Sequence, residues 1–338
     1  MSNTIPVKLV FSDGQTNTLQ LEEGTSILTG ARDRGLSLLV DCEQGNCGTC
    51  QAQVSHGMLE MEEFSPYVLS EAECANGVVL VCRAKATQPA TIELPYCADD
   101  ALAASDAGCA AVVERIEPVA EDTIALTLVT EGAVSFLPGQ YVNITVPDGS
   151  FERSFSMANP PGSQRLEFYV ALRPDGRFSH WLTSEARAGE SVSLSAPRGT
   201  FYLRGDARPK VMVAGGTGLA PFLSMLAQLA QEERPEIRSA ALTLFVGARH
   251  ERQLFEIERI EQFKDRLPGL QIHVSCDEIS PGSSHRRGRV TQLLEALSID
   301  QSSSIYVCGP PPMVDAVRAI LKDKQIPARQ LYAEKFIG

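Results

Sequence analysis

Three of the nine cysteines in this chain lie in one short loop, at a spacing that suits iron–sulfur chemistry. Cys42, Cys47 and Cys50 follow a C-x4-C-x2-C pattern, and Cys82 comes later in the chain. Four thiolates with this spacing can converge on the two irons of a 2Fe–2S cluster. Two glycines inside the loop permit tight turns and let amide N–H groups point at the sulfurs. The loop therefore predicts a one-electron carrier.

Other uses of these cysteines fit less well. A structural zinc site usually pairs two C-x2-C knuckles, and this stretch has one. A disulfide framework is not expected in a chain that reads as cytoplasmic. Cys74 is an alternative fourth ligand, but residues 70–74 have the pattern of a capping box that opens a short helix ending at Gly77. Cys82 is favoured because the apolar run 78–81 predicts a strand that delivers it to the cluster.

The residues around this loop predict a small N-terminal domain. Alternating apolar side chains predict two strands of a hairpin over residues 7–11 and 19–21. A helix is expected to open at Thr25 and to stop at Gly35, and the last strand is expected over residues 91–94. A hairpin, a helix laid across it and then a metal loop form the β-grasp arrangement. The whole stretch resembles plant-type ferredoxin.

The composition of the 338 residues bounds the class of protein. The net charge of −12 argues against a nucleic-acid partner. Residues 1–95 contain 12 acidic and 5 basic side chains, which suits steering towards a basic partner surface or serves solubility alone. The chain has no apolar run of about 18 residues, and its start lacks the apolar core of a signal peptide. We therefore expect a cytoplasmic protein without a membrane span.

The second stretch, from about residue 110 to 206, alternates short apolar strands with proline–glycine turns and predicts an antiparallel barrel. Residues 153–156, Arg-Ser-Phe-Ser, place a guanidinium, an aromatic ring and hydroxyls on one strand. These groups can bind a phosphate, face a ring system and donate a hydrogen bond. Residues 176–179, Gly-Arg-Phe-Ser, read as a glycine turn before a helix, which favours an anion, or simply as a helix capped by Ser179.

The third stretch begins at about residue 207 and predicts an α/β domain. A strand over residues 211–214 is followed at once by Gly-Gly-Thr-Gly at 215–218 and then by a helix through residues 220–230. Strand, glycine turn and helix form the phosphate-binding geometry of doubly wound sheets, although the G-x-G-x-x-G fingerprint is absent. Further apolar strands and helices alternate down to residue 321, which predicts a mostly parallel sheet.

Together these segments resemble the flavin and nicotinamide domains of the ferredoxin–NADP reductase superfamily. The motifs that carry the resemblance are Arg-Ser-Phe-Ser, Gly-Gly-Thr-Gly-Leu-Ala-Pro and the later Cys-Gly-Pro turn. The resemblance implies that Phe155, where the family has tyrosine, stacks on the flavin and that Ser156 approaches flavin N5. It also implies that Cys308 positions the nicotinamide ring and that Phe336 covers the opposite flavin face. The expected catalytic groups are Ser156, Cys308 and Phe336.

The resemblance implies FAD rather than FMN, held in the barrel, and a nicotinamide nucleotide held in the third domain. Further cofactor contacts are expected from Tyr141, Arg153, Ser154, Val170, Gly176, Arg177, Phe178, Ser179, Gly215, Gly216, Thr217, Gly218, Pro221, Arg249, Gly309 and Pro310.

The choice of nucleotide depends on the end of the strand that precedes Arg249. Arg249 and Arg252 can bind a 2′-phosphate, which favours NADPH, whereas the His-Glu pair between them can meet ribose hydroxyls, which favours NADH. Both arginines can also simply pair with Glu256 or Glu258 at the surface. The oxygenase reductases of the superfamily mostly use NADH, so the resemblance favours NADH, with NADPH as the alternative.

The order of the domains resembles the reductase component of aromatic ring-hydroxylating dioxygenases of the benzoate, toluate and anthranilate type. The resemblance implies electron flow from NADH through FAD and the 2Fe–2S cluster to a separate Rieske-type terminal oxygenase, from a monomeric reductase. One alternative is the reductase of a soluble di-iron monooxygenase, and a remote one is a non-catalytic zinc-binding module. The expected domains are residues 1–97, 110–206 and 207–338, with a linker over 98–109.

Overall fold

The chain folds into two compact units, here described from a computed structural model. Unit 1 comprises Met1–Ser105 with Arg198–Thr200, and unit 2 comprises Asp106–Pro197 with Phe201–Gly338. Among the described residues, no helix is long and apolar enough to cross a membrane. Most of the expected linker lies outside the described residues, so the expected domain boundaries stay predictions. The structure describes residues 4–40, 42–46, 48–66, 68–99, 108–327 and 330–336.

Unit 1 has the predicted β-grasp fold. A five-stranded sheet has the order β2-β1-β7-β3-β5, in which β1 and β7 are parallel and the other pairs are antiparallel. Strands β4 and β6 form a separate two-stranded ladder. The described elements are β1 (Thr4–Val10), β2 (Thr16–Glu22), α1 (Ile27–Arg32), β3 (Gln51–His56), β4 (Leu59–Met61), α2 (Glu71–Ala75), β5 (Val78–Leu80), β6 (Ala84–Ala86) and β7 (Ala90–Glu93).

The two helices of unit 1 begin where side chains cap them. Helix α1 begins at Ile27 because the Ser26 hydroxyl accepts from the Thr29 amide, so the expected opening at Thr25 was one residue early. Helix α2 has the predicted capping box between Ser70 and Glu73. The helix is followed directly by β5, whose end delivers Cys82, as the apolar pattern predicted.

Unit 2 begins with the predicted antiparallel barrel. Its six strands have the order β11-β10-β13-β8-β9-β12, and alternate residues of five of them meet in one apolar core with Phe168 among its fully buried members. After β12 the chain makes a short α-helix and a π-helical turn, Trp181–Glu185, before β13. The elements are β8 (Cys109–Ala120), β9 (Thr123–Val134), β10 (Tyr141–Thr145), β11 (Glu152–Ser156), β12 (Ser163–Ala171), α3 (Arg177–His180) and β13 (Ser191–Leu194).

The rest of unit 2 is the predicted doubly wound domain. Six parallel strands have the order β17-β16-β15-β14-β18-β19, and apolar residues from the strands and the covering helices form two cores. The elements are β14 (Lys210–Gly215), α4 (Ala220–Gln231), α5 (Pro235–Arg238), β15 (Leu242–His250), α6 (Ile257–Gln262), β16 (Leu270–Glu278), β17 (Arg286–Arg287), α7 (Val290–Ala296), β18 (Ser304–Gly309), α8 (Pro311–Asp323) and β19 (Leu331–Lys335), with 3₁₀ turns at Gly216–Leu219, Glu251–Gln253 and Phe263–Asp265.

Candidate functional site

The cysteine loop of unit 1 brings two sulfurs together and directs backbone amides at a third. The Sγ atoms of Cys50 and Cys82 lie 3.2 Å apart. The backbone N–H groups of Gln44 and Asn46 donate to Cys42 Sγ over 3.5 and 3.2 Å. Such N–H···S contacts stabilise thiolates and suit a cluster held by cysteine. Cys47 lies outside the described residues.

The electrostatics of the loop also favour thiolate ligands. The pKa of the Cys82 thiol is lowered, first by the Cys50 thiol and then by the Gly45 amide and the Arg83 guanidinium, although burial opposes this. Cys74, by contrast, is exposed on α2, and burial together with the neighbouring acids raises its pKa. These contacts favour Cys82 over Cys74 as the fourth ligand of a 2Fe–2S cluster, and the ligand set stays a prediction.

Two contacts hold the backbone of the cysteine loop in shape. Glu43 adopts a left-handed backbone conformation (φ 56°), which is unfavourable for a residue with a side chain. The Arg32 guanidinium donates two hydrogen bonds to the Glu43 carboxylate, over 2.8 and 2.5 Å. On the approach to the loop, the buried Tyr96 hydroxyl accepts from the Leu39 amide over 3.2 Å. Both contacts position the loop without touching the cysteines.

In unit 2, strand β11 presents the Arg-Ser-Phe-Ser segment as the sequence predicts. Phe155 is partly buried and packs on Phe178, with ring centroids 4.6 Å apart, while Arg153 is exposed. The Ser154 hydroxyl donates to Asn143 Oδ1 over 2.6 Å, so it is already engaged within the barrel. An exposed guanidinium and a half-exposed ring on the same strand face are what a flavin phosphate and ring system require.

Some of the other expected flavin contacts have buried side chains, and others lie in or beside helix α3. Val170, Tyr141 and Phe178 are buried, so their side chains pack inside the protein. Helix α3 begins after Gly176, and Ser179 lies within it, where its hydroxyl accepts from the Arg173 amide over 2.9 Å. The alternative in which Ser179 caps the helix is therefore wrong. The Arg177 guanidinium lies over the Phe151 ring, 4.3 Å from its centroid.

The glycine turn of the third domain forms a cradle that side chains would fill. Residues Gly216–Leu219 make a 3₁₀ turn between β14 and α4, and Pro221 lies in the first turn of α4. A Cβ on Gly218 would lie 2.2 Å from the Cys308 carbonyl oxygen, and one on Gly309 would lie 3.2 Å from Gly215. The two turns can approach so closely only because glycines face each other. The cradle suits a dinucleotide pyrophosphate.

The barrel and the third domain meet at a carboxyl group that the sequence analysis missed. Strands β18 and β19 pair Cys308 with Glu334 in register. The Ser156 hydroxyl donates to Glu334 Oε2 over 3.3 Å, and Cys308 Sγ lies 4.0 Å from the same oxygen. A single carboxylate between Tyr332 and Phe336, next to Lys335, was the available signal.

Desolvation raises the pKa values of both acidic groups at this meeting point. Desolvation raises the pKa of the Glu334 carboxyl to about 8, against a lowering by the Ser156 hydrogen bond. Burial likewise raises the pKa of the Cys308 thiol well above its ordinary value. These shifts favour the neutral carboxyl and thiol, which together with the Ser156 hydroxyl can orient a ring or hold a proton.

A buried arginine braces the strand ends beneath this group. The Arg204 guanidinium lies over the rings of Tyr202 and Tyr332, 3.5 and 4.4 Å from their centroids. The Tyr306 hydroxyl accepts from the Arg204 amide over 3.0 Å, and the rings of Tyr306 and Tyr332 stack 5.0 Å apart. Since Tyr306 and Tyr332 lie two residues before Cys308 and Glu334, the stack holds that pair in place.

Two partly exposed aromatic rings flank the same contact, which fits a flavin. Phe155 adjoins Ser156 on β11, and Phe336 follows Glu334 by two residues, with its amide donating to the Gly309 carbonyl over 2.9 Å. Stacking surfaces beside a hydroxyl and a neutral carboxyl are the surroundings that an isoalloxazine ring requires.

At the expected nucleotide-selecting end of β15, Arg252 and Glu251 both have partners within the protein. Arg252 pairs with Glu121 of the barrel, so the expected partners Glu256 and Glu258 were wrong for this residue. Arg249 is exposed. Between them, the Glu251 carboxylate accepts from the Ser280 amide over 2.8 Å, which leaves a fixed carboxylate where a ribose is expected.

Comparisons with known proteins agree with this geometry. Residues 10–87 match the 2Fe-2S iron-sulfur cluster binding domain family, and residues 212–319 match the oxidoreductase NAD-binding domain family. The chain is 36% identical over 333 residues to the toluate 1,2-dioxygenase electron transfer component of Pseudomonas putida, covering 96% of each chain. It is 34% identical over 337 residues to the anthranilate 1,2-dioxygenase electron transfer component of Acinetobacter baylyi, covering 98% of this chain and 97% of that protein.

Other similar proteins serve different oxygenases. The reductase component of propane 2-monooxygenase from Mycolicibacterium goodii is 32% identical over 330 residues, covering 94% of each chain. Among solved structures, a cytochrome P450 reductase from Amycolatopsis matches with a TM-score of 0.72 at 26% identity, covering 98% of both chains. The ferredoxin reductase in carbazole 1,9a-dioxygenase matches with a TM-score of 0.68 at 25% identity, covering 99% of both chains.

A 2Fe–2S β-grasp domain, a flavin barrel and a doubly wound nicotinamide domain define an NADH-oxidising flavin and iron–sulfur reductase. Its cofactors are FAD, a 2Fe–2S cluster and NADH, as the resemblance implied. The chain belongs to the family of oxygenase electron transfer components that includes the toluate and anthranilate 1,2-dioxygenase proteins.

The Gly218 cradle yields a first prediction. We expect Gly218→Ala to raise the KM for NADH about tenfold or more, because the new methyl group collides with the Cys308 carbonyl oxygen and opens the cradle. Gly205→Ala is the matched control, because the nearest atom to a Cβ there is 3.7 Å away. Steady-state kinetics of NADH oxidation measure the effect, and equal KM values for the two variants would show that the cradle does not bind the nucleotide.

The raised pKa of Glu334 yields a second prediction. A carboxyl whose folded pKa is about 8, against an ordinary 4.5, stabilises the fold fully below pH 4.5 and loses this contribution as the pH rises towards 8. Glu334→Gln should therefore have a higher Tm than the native protein at pH 8 and lose that advantage at pH 5. Glu258→Gln, at an exposed carboxylate, is the control. Parallel Tm profiles for the native protein and Glu334→Gln would contradict the assignment.

Proposed function

We propose that this protein delivers electrons from NADH to the Rieske-type terminal oxygenase of an aromatic ring-hydroxylating dioxygenase, acting as a cytoplasmic monomer. The observation that carries the proposal is the contact of Ser156 with Glu334 beside Cys308, which joins the barrel to the nucleotide cradle. The 34–36% identity to toluate and anthranilate dioxygenase components supports the choice of partner.

When bound, FAD accepts two electrons as a hydride and the 2Fe–2S cluster carries one electron at a time. The work of the protein is positioning. Gly215–Gly218 and Gly309 receive the nucleotide, while Cys308 and Glu334 line the place where its ring is expected. Arg153, Phe155 and Phe336 would hold the flavin, and Ser156 donates from the barrel side. No acid–base pair is required, because holding two rings in contact removes most of the barrier to hydride transfer.

Cys42, Cys47, Cys50 and Cys82 would hold the cluster. The 3.2 Å approach of Cys50 and Cys82 and the amide donors at Cys42 support this ligand set. A carrier ligated by four thiolates transfers single electrons, which is what an oxygenase needs from a two-electron donor.

The reductase of a di-iron monooxygenase is the second candidate, favoured by the 32% identity to the propane 2-monooxygenase component. Purified Rieske-type dioxygenase and di-iron hydroxylase, each supplied with NADH and this reductase, distinguish the two partners. We expect product only with the dioxygenase acting on an aromatic acid. Product only with the hydroxylase would overturn the choice of partner while leaving the electron carriers unchanged.

Two serine variants test the electron path. Cys82→Ser should abolish oxygenase-supported turnover because the cluster loses a ligand, yet NADH-dependent reduction of ferricyanide, which can take electrons from the flavin, should persist. Cys74→Ser is the control and should retain both activities, since Cys74 lies exposed on α2. Iron content and visible absorbance are recorded for each variant. Full oxygenase turnover by Cys82→Ser, or cluster loss in Cys74→Ser, would refute the proposed ligand set.

A further inference from the structure

Arg83 follows the proposed ligand Cys82 directly and is tied to the cysteine loop by its stem. A Cβ built on Gly45, inside the loop, would lie 3.1 Å from Arg83 Cγ and 2.7 Å from Phe64 Cβ. The hydrocarbon part of Arg83 therefore packs beneath the middle of the loop. Only 26% of its side chain is exposed, so its charge acts through protein more than through water.

The guanidinium of Arg83 is held in one orientation. Its Nε donates to the Glu63 carbonyl over 3.1 Å, and its Nη2 meets Glu62 Oε2 at 3.0 Å. A backbone hydrogen bond also joins these two residues, since the Glu62 amide donates to the Arg83 carbonyl over 2.9 Å. These contacts keep the guanidinium beside the loop when the charge at the cysteines changes.

Glu62 is shared between two cations, so it does not cancel the charge of Arg83. Its second oxygen meets Lys85 Nζ at 2.5 Å. The hydrogen bond from Lys85 and the charge of Arg83 both lower the pKa of Glu62. Two positive charges share one negative charge here, and Arg83 is the cation that adjoins the loop.

We propose that Arg83 raises the reduction potential of the 2Fe–2S cluster and so sets how readily the cluster takes an electron from the flavin. Reduction adds one negative charge to the cluster, and a fixed cation nearby stabilises the reduced form. The inference rests on the proposed ligand set and adds a redox-tuning residue to it.

The test is a redox titration of the whole protein, followed by visible absorbance and electron paramagnetic resonance, for the native chain and four variants. Arg83→Gln should lower the equilibrium constant for one-electron reduction by up to about tenfold, and tenfold equals 59 mV for a one-electron couple. Arg83→Lys keeps the charge and should stay near the native potential. Lys85→Gln is the matched control, because Lys85 shares Glu62 but lies two residues further from Cys82, and its shift should be clearly smaller.

Glu62→Gln keeps the proposal testable if Arg83→Gln does not retain its cluster. Removing this carboxylate leaves the charge of Arg83 uncompensated, so the potential should rise. The shifts should shrink at high salt, because the pair is partly exposed. Equal potentials for the native protein, Arg83→Gln and Glu62→Gln would overturn the role of Arg83 alone. A native protein without iron or cluster absorbance would instead overturn the proposed ligand set.

Discussion

Hydride transfer works only between rings held in contact, and in this protein a polar contact beside Cys308 joins the two domains that would hold them. Ser156 is the last residue of β11, an edge strand of the barrel sheet, and Glu334 lies on β19, an edge strand of the parallel sheet. Their 3.3 Å contact is supported from below by the stack of Arg204 with Tyr202 and Tyr332. The glycine turn at Gly215–Gly218, Phe336 and the turn at Cys308 all belong to the part of the molecule that this contact joins to the barrel.

The two redox sites have opposite electrostatic character, and the chemistry explains why. The hydride site holds a carboxyl and a thiol whose pKa values are raised by desolvation, which favours their neutral forms. The cysteine loop, by contrast, is surrounded by ion pairs, with Arg32 on Glu43 and with Arg83 and Lys85 on Glu62. A one-electron carrier changes its net charge on every turnover, so fixed charges nearby adjust its potential. Hydride transfer depends more on how the two rings are positioned than on the electric field of nearby charges.

Sequence reasoning succeeded where the functional signal lies in neighbouring residues of the chain. The cysteine spacing, the capping box at Ser70 and the glycine turn at 215–218 are local signals, and the structure has these elements where they were expected. The domain folds followed from the same local patterns, since apolar alternation and glycine turns specify strands and their connections.

Sequence reasoning failed where partners lie far apart in the chain. Glu334 was missed because its value depends on the register of β19 with β18 and on a barrel hydroxyl 178 residues earlier. Arg252 pairs with Glu121, which no local pattern could indicate. Residue spacing carries no information on which distant side chains a packed interface will bring together.

The measurement that tests the account most directly is an anaerobic titration of the purified, cofactor-loaded protein with NADH. We predict uptake of about three electrons per chain, two by the flavin and one by the cluster, with a rhombic paramagnetic signal from the reduced cluster. Uptake of two electrons without that signal, in protein that contains stoichiometric iron, would contradict the path from flavin to cluster. Reduction by NADPH but not by NADH would contradict the choice of nucleotide.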